Sequence, residues 1–266
     1  AIFFLLSQRW RIIWLLLVSV YFYMAFVPVY ILILFGMILV DYFAALKIEA
    51  SQKQHRARWL WLSVLATVLI LFIFKYFDFV NVNLAALAEF FDWNYSIKAL
   101  GLLLPIGLSF HTFQSLGYVI DVYRGARPAE KNFLVYALYV MFFPQLVAGP
   151  IERSTRLLPQ LHLPTLFNPN QVSLGLRLML WGFFKKIMIA DKAALIVNTI
   201  YAQPENYGGL ALVLGTTFFA LQIYADFSGY SDIAIGSARI LGYDLMLNFN
   251  RPYFSITIAE FWRRLN

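Results

Sequence analysis

The 266 residues are 61% hydrophobic and only 13% charged, about half the charge share of an ordinary soluble domain, so a bilayer is the natural solvent for the chain. The absence of cysteine excludes disulfides, thiolate catalysis and cysteine-based metal sites, and the net charge of +7 in so apolar a chain points to cytoplasmic loops rather than nucleic-acid binding. Aromatic residues make up 18%, which suits rings held at membrane interfaces.

A spanning helix needs roughly 20 mainly apolar residues. In chain order the expected spans are 10–27, 29–46, 59–79, 100–122, 133–149, 173–190, 208–225 and 228–247. The sequence opens on Ala1 rather than methionine. Arg9 and Arg11 precede the first apolar run, but no small-residue cleavage site follows it, so a trimmed start is expected rather than a signal peptide. Pro28 separates the first two spans and predicts a tight hairpin. Alternating the first four spans puts Arg9, Arg11, Lys47, Lys53, Arg56, Arg58, Arg124, Arg127 and Lys131 on one side. The positive-inside rule makes that side, with loops 47–58 and 123–131, cytoplasmic. Residues 82–98 repeat Leu84, Leu87, Ala88 and Phe91 at helical spacing, which predicts a helix lying on the outer surface. No tandem repeat, low-complexity tract or long linker divides the chain, so a single all-α transmembrane domain is expected over 1–266.

Four stretches are too polar for plain spans. In the first, Leu104–Gly125, His111, Gln114, Tyr118 and Asp121 fall near one helical face that must look inward, either for hydrogen bonding between helices or toward water, with Asp121 placed to pair with Arg124. The second runs from Phe142 to Leu161. Its two prolines bracket Gln145 and Gly149, with Glu152, Arg153 and Arg156 following; such a backbone is either a cavity wall or an interfacial loop. In the third, Leu174–Lys192, Arg177, Lys185 and Lys186 are expected to reach headgroups, an anionic-donor site being the alternative. In the fourth, Leu221–Phe254, Ser228, Asp232 and Arg239 line one side of a helix and Gln222, Asp226 and Tyr230 another, while Gly229, Gly236 and Ser237 invite close packing of a neighbour. Asp226 and Asp232 are expected to tether structure rather than work as an acid–base pair. His55, His111 and His162 are too scattered for a metal site, and no metal is expected.

Three of these passages resemble, in order and separation, the membrane-bound O-acyltransferase (MBOAT) family: PIGLSFHTFQSLGYVIDVYRG, FFPQLVAGPIERSTRLLPQL, and QIYADFSGYSDIAIGSARILGYDLMLNFNRPYFSITIAEFWRR. The likeness runs from about Arg9 to Arg264 and is closest to the bacterial branch that serves alginate O-acetylation and D-alanyl transfer to teichoic acid. It implies O-acyl transfer to hydroxyls of an exported polysaccharide in the bacterial inner membrane, multi-pass, with a thioester donor (acetyl-CoA or an acyl carrier), no tightly bound cofactor, and a periplasmic acyltransferase partner. In that family the FWRR word continues into Trp-His-Ile-Ser, and a second histidine, credited with catalysis, follows some tens of residues later. Here Leu265 and Asn266 stand where Trp-His would begin, so no catalytic residue is carried over and the chain as given is expected to be an inactive fragment. The family likeness assigns Gln145, Glu152, Gln222, Asp226, Ser228, Asp232, Arg251, Trp262, Arg263 and Arg264 to the walls where donor and acceptor meet. Arg251, Arg263 and Arg264 would then hold anionic polymer or donor phosphate, headgroup anchoring being the alternative. The competing reading from a different class is a transporter or acyl-relay conduit without chemistry of its own, for which broken helices and intramembrane carboxylates are equally suited.

Overall fold

The computed structural model describes residues 2–105, 107–147 and 149–265. It is helical, with no strand among the described residues beyond an isolated bridge between Phe249 and Leu265. The comparison of Leu265–Asn266 with Trp-His, and the reading of Ala1, fall partly on residues outside this set. Among the described residues, three helices are long and apolar enough to cross a membrane: Tyr30–Ala50, Arg56–Lys75 and Gly209–Ile240. The chain forms two compact units, one of Ile12–Leu146 with Arg153–His162, the other of Ala1–Arg11, Val147–Glu152 and Leu163–Asn266.

Helix α1 (Ile2–Leu5) precedes α2 (Gln8–Met24), and α3 (Tyr30–Ala50) starts just past Pro28, where the sequence puts the break between the first two spans. Next come α4 (Arg56–Lys75) and α5 (Phe77–Phe90). Of the segment 82–98, residues up to Phe90 belong to α5, which starts at Phe77, and residues 93–105 are not helical. Helix α6 (Leu108–Arg124) starts eight residues later than the expected span at 100, because Pro105 and the left-handed Gly107 (φ +70°) stop a helix from forming there. Helix α7 is short (Phe133–Met141), capped by Asn132, and ends ahead of Pro144. Its residues from Val135 to Met141 are all buried, the condition under which irregular backbone can follow it.

In the first unit α3, α4 and α6 pack on one another, and α7 and α8 (Ser154–His162) join them. The buried side of α4 is not its apolar side. Only Ser63 and Thr67, one turn apart, are buried, while Trp61, Leu62, Leu65 and Leu69 are exposed. Both hydroxyls serve Asp41 of α3, which is fully buried: Ser63 Oγ donates at 2.5 Å and Thr67 Oγ1 at 3.3 Å. Ser115 of α6 donates to the other carboxylate oxygen and contacts the Tyr136 hydroxyl of α7 at 2.8 Å. One carboxylate thereby ties four helices through hydroxyl donors, the form of glue that works where the apolar effect does not separate protein from lipid. Along the same stretch of α6, Tyr118 OH accepts from Glu130 N (2.8 Å) and Gln114 Nε2 donates to the Tyr139 carbonyl (2.7 Å), so the polar face of this helix is used for hydrogen bonding within the bundle. Asp121 does not pair with Arg124; it accepts from Ser154 Oγ at 2.6 Å and so holds the start of α8.

The second unit is built on α9 (Pro169–Phe183), a π-helical segment (Phe184–Ala190), α10 (Asp191–Ala202) and α11 (Gly209–Ile240). The two spans expected at 208–225 and 228–247 are one continuous helix of 32 residues. The expected break at 226–227 holds Asp226, which pairs with Lys186 and does not interrupt the helix. Helices α9 and α11 meet at two glycine pairs, Gly175 with Gly236 and Gly182 with Gly229. A Cβ on Gly175 or Gly182 would stand 2.6 Å from the carbonyl oxygen of its opposite glycine. The final helix, α12 (Ile258–Arg264), follows an extended arm.

Candidate functional site

Nine of the ten residues expected to wall a site lie in the second unit; Gln145 lies in the first, buried, its amide nitrogen donating to the Tyr139 carbonyl at 2.9 Å. The centre of the second unit's polar region is the π-helical segment. Hydrogen bonds running from i to i+5 widen the helix locally, and such segments recur at functional positions. Here two neighbouring lysines both reach α11. Lys185 Nζ lies 2.6 Å from Asp232 Oδ2 and 3.1 Å from Ser228 Oγ. Lys186 Nζ lies 2.7 Å from Asp226 and 2.8 Å from Asp191, with the Tyr230 ring 5.6 Å away. Gly229 makes this approach possible, since a Cβ there would stand 3.2 Å from the backbone nitrogen of Lys186.

These contacts correct one expectation. Lys185 and Lys186 do not extend toward headgroups but neutralise intramembrane carboxylates, which is cheaper than leaving either partner alone in lipid. Asp232 and Arg239 share a helix side yet serve different partners: Arg239 approaches Asp244 at 3.9 Å. Asp226 and Asp232 each have their own lysine, the tethering arrangement expected in place of an acid–base pair. The lysines were the residues that sequence reasoning assigned elsewhere. The available signal was the match of two adjacent cations with two carboxylates six residues apart on a neighbouring helix.

Around this centre the arm from Leu241 to Ser255 is fastened to α11. Glu152 Oε2 accepts from the Met246 backbone N–H at 2.7 Å, and Asn248 Nδ2 donates to Ser231 Oγ at 3.1 Å. Phe249 stacks edge-on with Tyr224 and Phe227, and Tyr253 OH donates to the Ala220 carbonyl at 2.9 Å. On α11, Gln222 carries a buried amide oxygen with no hydrogen-bond partner among the described residues. Arg251 adopts φ +49°, a left-handed conformation that costs a non-glycine residue about 1–3 kcal/mol. Asn250 N donates to the Arg264 carbonyl at 2.8 Å, and Arg264 Nη1 donates back to the Arg251 carbonyl at 3.3 Å. Trp262 and Arg263 are exposed.

The start of α12 is a capping motif, Thr257-Ile-Ala-Glu260. Thr257 Oγ1 accepts from Glu260 N at 3.1 Å, and the Glu260 carboxylate accepts from Ile256 N at 2.9 Å and from Arg264 at 2.6 Å. The Ile256 N–H and then the Arg264 guanidinium hold the Glu260 carboxyl below its usual range. A carboxylate stabilised in this sense keeps its bonds above the ordinary carboxylate pKa and loses them as pH falls through the lowered value. Hydrogen exchange at the Ile256 amide, corrected for intrinsic rate, should therefore be protected at neutral pH and lose that protection only in acid below the usual carboxylate range. In Glu260→Ala it should be unprotected throughout; equal protection in that variant would remove Glu260 from the cap.

The chain is 38% identical over 266 residues to the probable alginate O-acetylase AlgI of Pseudomonas aeruginosa, covering 99% of this chain and 51% of that protein. It is 40% identical over 267 residues to the protein of the same name from Pseudomonas putida, covering 99% and 54%. It is 34% identical over 279 residues to the peptidoglycan O-acetyltransferase of Helicobacter pylori, covering 95% and 52%. The chain thus spans about half the length of the curated relatives it matches. No family model matches it.

Proposed function

We propose, from the premise that this chain belongs with the alginate O-acetylases in the membrane-bound O-acyltransferase family, that the protein acylates hydroxyls of an exported polysaccharide, with acetyl as the transferred group. The observation that carries the proposal is the similarity, across nearly the whole chain, to proteins named for O-acetylation of two different carbohydrate polymers. The donor in this reading is a thioester, acetyl-CoA or an acyl carrier, and a periplasmic acyltransferase receives or completes the transfer. The reaction removes a proton from a hydroxyl as it attacks the thioester carbonyl, work for which a neutral imidazole is matched near pH 7. His55, His111 and His162 stand outside the two positions that the family likeness gives to histidine. The described residues therefore supply walls and charge: the lysine-neutralised face of α11, and Arg251 and Arg263 for anionic polymer or donor phosphate.

The test is the ester-linked acetyl content of the exported polymer in a strain that lacks its own O-acetylating membrane protein and carries the complete gene that encodes this sequence. Acetylation above the empty strain supports the reading, and Arg251→Ala with Arg263→Ala should lower it without lowering the amount of membrane protein. A well-expressed protein that leaves the polymer unacetylated under every donor supply overturns it.

The same reading places the protein in the bacterial inner membrane as a multi-pass chain with loop 47–58 in the cytoplasm. Gln54 and Asn94 are both exposed, so a cysteine at either position is reachable by an impermeant maleimide. The two cysteines should label from opposite faces of the membrane, and labelling from one face would overturn the topology.

A further inference from the structure

The turn between α3 and α4 collects cations for which the first unit has no use. From Lys47 to Leu62 the chain carries Lys47, Lys53, Arg56 and Arg58, with His55 among them, against a single carboxylate, Glu49. Glu49 accepts from the Ala129 backbone N–H at 3.3 Å. Arg56 Nε donates to the Ser51 carbonyl at 3.1 Å and so closes the turn. Lys53 and Arg58 are exposed and have no hydrogen-bond or ion-pair partner among the described residues.

Loose cations beside a membrane helix are common, but here a cavity gathers them. It has a volume of about 480 Å³, and its walls are Ser51, His55, Arg58, Trp59 and Leu62. Half of that lining is cationic or polar and half is apolar. The division continues along the helix. His55, Arg58, Leu62, Leu65 and Leu69 recur at steps of three, four, three and four, so they share one face of α4. Leu62, Leu65 and Leu69 are 51%, 64% and 56% exposed, and the buried residues of this helix, Ser63 and Thr67, lie on another side. From Arg58 to Leu69 the helix rises about 16 Å, close to half of the roughly 30 Å hydrocarbon core. The face therefore reads, from the turn inward, as an anion site followed by one leaflet's depth of apolar surface. A free anion would leave Trp59 and Leu62 without a counterpart, and a neutral chain would leave Arg58 without one.

We propose that this cavity binds an anionic phospholipid, its phosphate held by Arg58 and His55 and one acyl chain lying over Trp59 and down Leu62, Leu65 and Leu69. Basic pockets at the ends of membrane helices recognise such headgroups, and the aromatic ring of Trp59 sits where the headgroup gives way to hydrocarbon. The site goes beyond the acyl-transfer reading and does not depend on it, since all of its residues belong to the first unit.

The probe is a phosphatidylglycerol carrying a diazirine near the middle of one acyl chain. It is photolysed in phosphatidylcholine nanodiscs holding the protein made from the complete gene that encodes this sequence, and the labelled peptides are mapped by mass spectrometry. Labelling should concentrate on residues 59–69. Phosphatidylcholine with the same diazirine chain should label that stretch about fivefold less, the affinity that one Lys or Arg near the surface adds for an anionic lipid. Arg58→Gln should lower labelling by phosphatidylglycerol about fivefold as well, and Arg58→Lys, which keeps the charge, should retain most of it. Lys75→Gln removes the same charge at the far end of α4 and should leave labelling of 59–69 unchanged. In phosphatidylcholine alone the thermal midpoint of Arg58→Gln should equal that of the unaltered protein, because the guanidinium has no partner to lose. Equal labelling by the two lipids, or an equal effect of Arg58→Gln and Lys75→Gln, would overturn the proposal. Inorganic phosphate should displace the probe no better than chloride at the same ionic strength. Displacement specific to phosphate would assign the cavity to a free anion and overturn the lipid.

Discussion

Gly182→Val should abolish most of the folded protein recovered from membranes, and Gly182→Ala should lower the thermal midpoint of what remains. The cause is the packing of α9 on α11. Glycines seven residues apart on each helix meet in two antiparallel pairs, and each missing Cβ would fall 2.6–2.8 Å from a backbone oxygen of the other helix. A clash with a flexible side chain relaxes by a rotamer change, whereas a clash with a carbonyl moves the whole helix. Overfilling a packed interface costs typically about 1–3 kcal/mol for small additions, and a branched side chain between two backbones exceeds that range. The penalty should spread, because Gly229 also positions Lys185 and Lys186. Gly36 of α3 is the control: nothing lies within 4 Å of a Cβ there. Gly36→Ala should raise the midpoint slightly, by up to about 1 kcal/mol of helix propensity. The comparison is made on detergent-solubilised protein by size exclusion and thermal unfolding. A Gly182→Val protein with the wild-type elution profile and midpoint would show that α9 and α11 are not in contact as described.

The same glycines show how far this fold can be read from the chain. Gly229 and Gly236 announce a close neighbour, but Gly175 and Gly182 carry no mark that they are the neighbour, because close approach is a property of the pair. In α4 the difficulty is of another kind. A helix solvated by lipid has no apolar face to hide, so its hydrophobic periodicity says nothing about which side packs, and its buried side is marked by Ser63 and Thr67 instead. Asp41 lay unremarked in an expected span although a lone carboxylate there is the surest sign of an inward face. A span boundary was legible where proline set it, at Pro28, and misplaced between residues 225 and 228, where α11 runs on unbroken. The polar side of α11 was legible from spacing alone. Its lysine partners were not, since lysine flanked by apolar residues usually extends to the interface, and only the π-helical widening turns both toward one helix. The cap at Thr257–Glu260 was fully written in the sequence and went unread among the basic residues that follow it.

Lys185→Met should be more damaging to folding than Asp232→Asn, and combining the two should recover much of the loss. Lys185 and Asp232 form a close pair, their side chains 11% and 20% exposed, with Ser228 as the third member. Removing the lysine leaves a carboxylate without its counter-charge in an intramembrane helix, and breaking such a pair from one side costs about 3–5 kcal/mol. Asp232→Asn leaves the ammonium with two neutral oxygens, the carbonyl of the new side-chain amide and the Ser228 hydroxyl. Converting both partners to neutral groups removes the charges together, and replacing a buried pair as a unit is often close to neutral. A double-mutant cycle on thermal unfolding should give a coupling of about 2 kcal/mol or more, since the residues are in direct contact. Charge exchange, Lys185→Asp with Asp232→Lys, should restore less than the neutral pair, because the shorter aspartate now extends from the π-helical segment and cannot span the same gap. If the single losses simply add, the pair does not hold the helices. If Asp232→Asn leaves the folded yield and midpoint unchanged while polymer acetylation disappears, Asp232 acts on the substrate, and the lysine positions a reacting group instead of a helix.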